Sequence, residues 1–425
     1  MRFGIAKDLI TPDITTYMSG YASYFDRPFL GIHDDLYVRT LSVDDGHKRL
    51  LFISLDLLFH DAALTRTVQE WTERHFGFPP DRLFLTYSHT HGGPAVRGYD
   101  DVSQHSGEYE AFLLTRIQSC IARAMANEFE GSLEYGSAAG DWNINRRLPV
   151  GGEVTNNPNP QGVKDDRLHV LRVLDTTGKT RVILFNYACH PVTVRDTPYI
   201  SGDFPGRACQ LLEAEYFGAV GMFFQGAGGN SRPKVTAYGG SFITCTYEEV
   251  DEMALSLTRS IKRLCRTPGA LSPVKLTLDA SQFTVRLELE PFPKSYLEEL
   301  AANGYPGLRK IAVRVLDKYD DMPDDIELRA GLAKLSDSLY IAYMGGEPCC
   351  EVKQKLEALF PGVTLLFFGY ADSTAYIPDD KIIAEGGYEA EGSAVEYGHK
   401  GSLKNGVDAR MAQAFKNAYD RLSKR

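Results

Sequence analysis

The sequence predicts an α/β protein in which mixed β-sheets form a sandwich flanked by helices, with a metal site at the strand ends. Short runs rich in β-branched and aromatic residues alternate with segments of helical periodicity along the whole chain. The 425 residues, 43% of them hydrophobic, are enough to bury a large core. No repeat with a period of about 20–50 residues is present, which argues against a solenoid or a propeller.

Each element follows from its local pattern. Buried strands are predicted where apolar runs have strand length, at residues 49–58, 82–87, 181–187, 219–224, 339–344 and 363–368. Helices are predicted where apolar residues recur at helical spacing, at residues 109–127, 247–263, 352–359 and 407–422. Thr246 and Glu249 have the spacing of a capping box at the start of the second helix.

The predicted domain organisation is a single domain over residues 1–425, with residues 274–337 as a candidate smaller inserted unit. Two segments with Pro, Asn or Gly, at 149–160 and 266–273, are the best loop or boundary candidates. The second of these would precede the inserted unit.

Composition narrows the class of partner. The 56 acidic and 46 basic residues give a net charge of −10, which disfavours nucleic acid and anionic membrane surfaces. Asp8 interrupts the N-terminus before a signal-peptide core can form, and no apolar run approaches the ~20 residues of a spanning helix. The seven cysteines do not form a disulfide pattern. We therefore expect a cytoplasmic protein with a small-molecule substrate; the oligomeric state stays open.

Four of the predicted strands end within a few residues of a side chain able to bind metal. His89 and His91 follow the second strand, His190 the third, Glu347 the fifth and Asp372 the sixth. Strand ends form the ligand-binding crevice of open α/β sheets, so these side chains are expected to meet. If His89-Thr90-His91 is extended, both imidazoles share a face, and one can bind metal while the other reaches substrate.

Each of these residues also has a simpler interpretation. The two histidines around Thr90 can be a structural pair, His190 a core histidine with satisfied hydrogen bonds, and Glu347 a carboxylate in a turn. A nucleophile at Cys189 is disfavoured, because neighbouring side chains along a strand face opposite ways. The metal hypothesis depends on the observation that all of these candidate ligands follow the ends of predicted strands.

Further motifs accompany these residues across most of the chain: Gly20-Tyr21, 31–37, Asp56, 88–94, 143–146, 189–191, 346–348 and 388–389. Together they resemble the catalytic domain of the neutral (alkaline, non-lysosomal) ceramidases, zinc amidases that cleave the N-acyl bond of ceramide. The resemblance implies Zn2+ as the cofactor, with four ligands: His89, His190, Glu347 and Tyr376. It also implies three substrate-facing residues: His91, Arg146 and Tyr388.

Two features depart from that family. Its catalytic serine aligns with Arg232, while Ser231 lies one residue early and would need a bulge to take the same place. The chain also ends after its last predicted helix and is predicted to lack the C-terminal β-sandwich domain of the true ceramidases. Arg232 would favour an anionic or carbonyl-bearing substrate group, although a loop arginine paired with a surface carboxylate is an equal alternative. These departures favour a soluble substrate over ceramide.

The predicted function is a zinc-dependent, ceramidase-like amidase that cleaves an N-acyl bond of a soluble substrate through a zinc-bound hydroxide. His91 would shuttle a proton, and Arg146 and Tyr388 would stabilise the oxyanion. Asp56 and Asp203 are candidate partners for the metal-bound imidazoles, although Asp203 could equally cap the helix that follows Pro205. The alternatives are a zinc hydrolase of esters, lactones or carbohydrate-linked bonds, and a non-catalytic ligand-binding homologue. The mixed nitrogen and oxygen ligands also admit manganese or iron.

Overall fold

The computed structural model describes residues 1–13, 16–21, 28–97 and 105–424 of the protein. The strands of the first half are β1 (Arg2–Leu9), β2 (Gly31–Ile32), β3 (Tyr37–Asp44), β4 (Arg49–Leu55), β5 (Leu83–Tyr87), β6 (Glu128–Ala139), β7 (Asn143–Val150), β8 (Glu153–Asn159), β9 (Arg167–Asp175), β10 (Thr180–Tyr187), β11 (Tyr199–Ile200) and β12 (Val220–Gln225). Those of the second half are β13 (Ser231–Pro233), β14 (Ala237–Tyr238), β15 (Ser241–Phe242), β16 (Ser272–Pro273), β17 (Asp279–Pro291), β18 (Asp325–Ser336), β19 (Leu339–Met344), β20 (Glu347–Pro348), β21 (Thr364–Phe368), β22 (Tyr376–Ile377) and β23 (Gly401–Leu403). The α-helices are α1 (Ala62–Phe76), α2 (Gly107–Ala126), α3 (Asp203–Glu215), α4 (Tyr247–Arg266), α5 (Lys294–Asn303), α6 (Pro306–Lys318), α7 (Cys350–Ala358), α8 (Asp380–Glu385) and α9 (Val407–Ser423).

The larger sheet has nine strands in the order β12-β10-β9-β6-β1-β3-β4-β5, with β16 beside β6. Its end pairs β4–β5 and β10–β12 are parallel and the other pairs are antiparallel. A twist of about 20–25° per strand accumulates along this order and brings the two ends of the sheet together. The Ser54 hydroxyl of β4 donates a hydrogen bond to the carbonyl oxygen of Phe223 in β12 at 2.6 Å. The residues that follow β5 and β10 are thereby placed on the same side of the molecule.

The second sheet has five strands in the order β21-β19-β18-β17-β23, with β19 and β21 parallel. It packs face to face on the larger sheet through a shared apolar core. Phe52 and Phe84 of the larger sheet lie in this core beside Tyr343 and Phe368 of the second. The Phe52 and Phe368 rings, for example, meet edge to face with centroids 6.1 Å apart. The mixed sheets thus form the predicted sandwich.

Helices cover the outer faces of both sheets. Helices α1 and α2 pack on β1, β3, β4 and β5, and helices α3 and α4 pack on β9, β10 and β12. Helices α7 and α9 cover the second sheet. The predicted α/β class, with helices flanking the sheets, is therefore confirmed.

The predicted elements are all present, with ends that shift by a few residues. The first predicted strand ends three residues early, at Leu55, and Asp56 after it forms a buried ion pair with Arg39 at 2.7 Å; the second predicted helix ends three residues late, at Arg266. The predicted capping interaction is also present, since the Glu249 carboxylate accepts a hydrogen bond from the Thr246 backbone N–H at 2.7 Å. Several long antiparallel strands were not predicted, notably β6, β9, β17 and β18.

The segment 274–337 contains two different parts. Strands β17 and β18 pair along most of their length inside the five-stranded sheet, whereas α5 and α6 between them share a small apolar cluster of their own. The division of the chain into one domain with an inserted unit stays a prediction. Among the described residues, no helix is long and apolar enough to cross a membrane; the cytoplasmic location also stays a prediction.

Candidate metal centre

Four of the predicted strand-end residues meet in the structure. Glu347 Oε2 lies 2.8 Å from His190 Nε2 and 3.3 Å from His89 Nε2. His91 joins them, with its Nε2 atom 3.3 Å from that of His89. One ligand atom from each of the three histidines lies within 4.8 Å of the others. These residues come from positions up to 258 apart in the chain, so the fold alone brings them together.

The segment around His89 differs from the predicted geometry. His89 has a φ of 67°, in the left-handed region that a non-glycine residue seldom adopts. The His-Thr-His segment is therefore not extended, and the argument from strand alternation was wrong. The two imidazoles nevertheless face one another, with ring centroids 4.9 Å apart. Such a strained conformation is typical of residues held for a function.

Glu347 and Tyr376 are positioned by a short parallel ladder. Strands β20 and β22 pair these two residues directly, and the Tyr376 hydroxyl lies 3.2 Å from His190 Nε2. Gly346, which precedes the ladder, has a φ of 66°, and a Cβ added there would lie 2.3 Å from the Ala375 carbonyl oxygen. Only glycine fits this position.

The hydrogen bonds of the histidines define which of their atoms can bind metal. His89 Nδ1 lies 3.0 Å from the Leu58 carbonyl oxygen, and His190 Nδ1 lies 2.7 Å from that of Gly228. A carbonyl only accepts, so both Nδ1 atoms carry the hydrogen and both Nε2 atoms of the neutral rings present lone pairs. Glu347 Oε2 is buried and, although His190 Nε2 lies near it, accepts no hydrogen bond from the residues that the structure describes. Converging lone pairs and a carboxylate oxygen fit a bound cation.

The protonation states agree with that interpretation. Burial lowers the pKa of His190 to about 4, and burial also holds the pKa of His91 well below its ordinary value. Burial alone would raise the pKa of Glu347, but the neighbouring imidazoles of His89 and His190 lower it by more. At neutral pH His190 and His91 are therefore neutral imidazoles and Glu347 is a carboxylate, which are metal-binding forms.

Two tyrosines near the cluster were not predicted. The Tyr397 hydroxyl donates a hydrogen bond to Glu347 Oε1, whereas His89 and His190 contact the other oxygen of that carboxylate, Oε2. Tyr370 has a φ of 58°, and its ring centroid lies 4.5 Å from that of His89. Neither contact could be predicted from a local sequence pattern, because each joins residues that are distant in the chain.

Arg146 is held beside the cluster by a buried carboxylate. Its Nε donates a hydrogen bond to Glu389 Oε1 at 2.7 Å, and Arg147 binds the other oxygen of Glu389 at the same distance. The Arg146 guanidinium carbon lies 5.2 Å from the Tyr376 ring centre and 5.4 Å from that of Tyr388. The predicted substrate-facing residues Arg146 and Tyr388 are thus adjacent to Tyr376.

Ser231 and Arg232 lie on a short strand without a bulge. Strand β13 pairs regularly with β7, so neighbouring side chains face opposite ways. The Ser231 hydroxyl is buried and donates a hydrogen bond to the Ala188 carbonyl oxygen at 3.0 Å. The Arg232 guanidinium stacks over Phe242 at 4.8 Å, and its charge contributes to the low pKa of His91, after burial and the other two imidazoles. The Ser231 hydroxyl is thus turned to the backbone, whereas the charge of Arg232 acts on the cluster.

The expected carboxylate partners of the imidazoles are elsewhere. Asp56 binds Arg39, and Asp203 accepts hydrogen bonds from the Thr193 hydroxyl and the Phe204 backbone N–H, at the start of α3. The Asp56 and Asp203 assignments were therefore wrong. The backbone carbonyls of Leu58 and Gly228 orient the rings of His89 and His190 instead.

The fold and the site define a ceramidase-type hydrolase with a histidine cluster that fits a metal ion. Residues 2–249 match the family model described as neutral/alkaline non-lysosomal ceramidase, N-terminal, and the chain belongs to this family. Glu347, Tyr376 and Tyr388 lie beyond the matched residues, so the geometry is an independent observation for them.

Solved structures share the fold. The chain is similar to the crystal structure of neutral ceramidase from Pseudomonas aeruginosa, with a TM-score of 0.77 and 18% identity over 100% of this chain and 74% of that one. A structure described as ceramidase complexed with C2 gives the same TM-score and identity over 75% of its length. At this identity the likeness concerns the fold.

Proposed function

We propose that the protein is a zinc-dependent amidase that cleaves an N-acyl bond of a soluble substrate. The observation that carries the proposal is the convergence of the Nε2 atoms of His89 and His190 and a carboxylate oxygen of Glu347, from three separate strand ends, while each Nδ1 is held by a backbone carbonyl. Membership of the ceramidase family supports an acyl-group hydrolase over a merely structural site. Structural zinc sites are in addition usually rich in cysteine, and this cluster contains none.

The proposed ligands are His89, His190, Glu347 and Tyr376. Burial raises the pKa of Tyr376 well above its ordinary value while the charge of Arg146 lowers it, so a nearby cation would be needed to favour the phenolate. His91 is the histidine of the group that is not proposed as a ligand. Its Nδ1 is buried without a hydrogen bond among the described residues, whereas a carbonyl fixes each of the other two rings.

A zinc ion held there would supply Lewis acidity and a nucleophile derived from water near neutral pH. His91 is neutral in this site and can accept a proton at Nε2 and return it to the leaving amine. Arg146 can stabilise negative charge on the carbonyl oxygen, because Glu389 holds its Nε and places the guanidinium beside Tyr376. Tyr388 would join it by turning its hydroxyl from Glu396, to which it donates, toward the substrate. Arg232 is the fourth residue of the proposed catalytic group and would bind substrate.

The absence of a serine from the family position affects the choice of substrate. Arg232 occupies the aligned position, and Ser231 is turned to a backbone carbonyl. Chemistry based on a metal and water does not require a serine, and a buried guanidinium is poorly suited to the apolar chains of ceramide. We therefore favour a soluble substrate.

The test is a substrate panel with the zinc-loaded protein. Matched compounds with one acyl group, as an amide, an ester and a lactone, are compared for turnover. Hydrolysis of the amide is expected. The His91→Ala variant should lower turnover by about 10²–10⁴-fold while it retains zinc, and the exposed His75→Ala serves as its control.

Other outcomes select the alternatives. Turnover of esters or lactones alone would favour the second class of zinc hydrolase, and binding without product would favour the non-catalytic homologue. Full turnover by a zinc-containing His91→Ala protein would remove His91 from the chemistry.

A further inference from the structure

We propose that Arg195 and Arg232 form an anion-binding subsite beside His91, and that the substrate is an N-acylated amine that carries an anionic oxyacid group, as an N-acyl amino acid does. This inference rests on the proposed function and names its substrate class. The amide would lie at the histidine cluster, and the anionic group would lie between the two guanidinium groups.

Both arginines lie on segments of the chain that adjoin the proposed ligand His190. The carbonyl oxygen of Ser231, next to Arg232, accepts a hydrogen bond from the His190 backbone N–H at 3.3 Å. Arg195 lies five positions after His190 in the chain. The two arginines therefore lie on separate segments of the chain that both adjoin His190.

Tyr21 connects this pair of arginines to the cluster. Its ring centroid lies 4.8 Å from that of His91, and the Arg195 guanidinium carbon lies 5.9 Å from the centre of the Tyr21 ring. Arg232 is close enough that its charge acts on both Tyr21 and His91. The subsite is therefore adjacent to the residue proposed to carry the proton.

Neither guanidinium has a carboxylate partner among the residues that the structure describes. Arg195 Nε and Arg232 Nε are both buried without a hydrogen bond there, although the side chains as a whole are only partly buried. Arg146 differs, because Glu389 neutralises it. Desolvated guanidinium N–H groups without an acceptor cost free energy, and an anionic ligand would supply the acceptor.

The electrostatics of Arg232 agree with an anion-binding site. Burial, and then the charges of Arg146 and Arg195, lower its pKa to about 10, which still leaves the group protonated at neutral pH. Asp203 uses its oxygens for Thr193 and Phe204. A planar guanidinium fork binds carboxylates and phosphates in a two-point geometry.

The experiment compares three ligands of one length: N-octanoylglycine, N-octanoylaminomethylphosphonate and the neutral N-octanoylglycinamide. Dissociation constants are measured by calorimetry on the zinc-loaded protein and again after metal removal, which separates a contact to zinc from a contact to arginine. The proteins are the wild type, Arg195→Gln, Arg232→Gln, Arg232→Lys and the exposed control Arg74→Gln, each checked for folding by circular dichroism.

The wild type is expected to bind at least one anionic ligand about tenfold or more tightly than the glycinamide, with or without metal. Each Gln variant should lose most of that preference without a change for the neutral ligand, Arg232→Lys should keep part of it, and Arg74→Gln all of it. The better of the two anionic ligands distinguishes a carboxylate from a phosphate-like substrate.

The inference is overturned by equal affinity for charged and neutral ligands, by no binding of any of them, or by a preference that disappears on metal removal. Hydrolysis of the glycinamide with no anion preference would leave the proposed function standing without the subsite. An anion preference lost in the Gln variants, but with no hydrolysis of any probe, would retain the subsite and refute the amidase.

Discussion

Replacement of Glu389 by Gln tests whether the buried pair of arginines beside the metal centre is held by one carboxylate. Glu389 lies 2.7 Å from both Arg146 and Arg147, and the three side chains are only 2–5% exposed. Removing one partner of a buried ion pair leaves an uncompensated charge and costs about 3–5 kcal/mol. We expect the free energy of unfolding of Glu389→Gln to fall by that amount. Turnover should fall as well, because Arg146 would lose its anchor.

Glu385→Gln is the matched control. Glu385 also contacts Arg147, at 3.3 Å, but is 41% exposed, so its loss should cost no more than about 1 kcal/mol. Urea unfolding of the two variants and the wild type, followed by circular dichroism, measures the difference. Equal unfolding midpoints for Glu389→Gln and Glu385→Gln would refute the role of the buried carboxylate.

Three further predictions concern the metal centre. Tyr397→Phe removes the hydrogen bond to Glu347 Oε1 and should weaken zinc affinity by about 10–100-fold in a competition with a chromogenic chelator; unchanged affinity would mean that this contact does not orient the ligand. In the metal-free protein, burial lowers the pKa of His190 from 6.5 to about 4. The unfolded chain then binds more protons below pH 6.5, and stability should fall by roughly 3 kcal/mol toward pH 4; a His190→Gln variant with the same pH dependence would contradict this. Finally, zinc affinity should fall as the pH approaches 4, where protons begin to compete for His190; equilibrium dialysis at pH 7, 5.5 and 4 would measure this, and equal retention at pH 7 and pH 4 is the contrary result.

The fold was predictable where the apolar pattern was unbroken. The run at 339–344 matches β19 to the residue, since buried parallel strands are continuously apolar. Strand β17 was missed although Val285, Leu287 and Leu289 alternate with polar residues. These residues lie in the segment 274–337, which was predicted as an inserted unit and for which no strand was predicted.

The candidate site was predictable from strand ends but not in its details. His89, His190 and Glu347 each follow a predicted strand, and their convergence is a property of sheet geometry. The left-handed backbone of His89 and the contact of Tyr397 with Glu347 are not encoded in any local pattern. Both depend on loops that return from distant parts of the chain, so sequence spacing carries no signal for them.

The measurement that tests the central claim most directly is the metal content of the purified protein by elemental analysis. Wild type is compared with His190→Ala, Glu347→Ala and the exposed control His75→Ala, all verified as folded. Near-stoichiometric zinc in wild type and His75→Ala, with little in the other two, is the predicted result. Wild-type protein that stays free of metal after zinc is supplied, or variants that retain it, would contradict the proposed site.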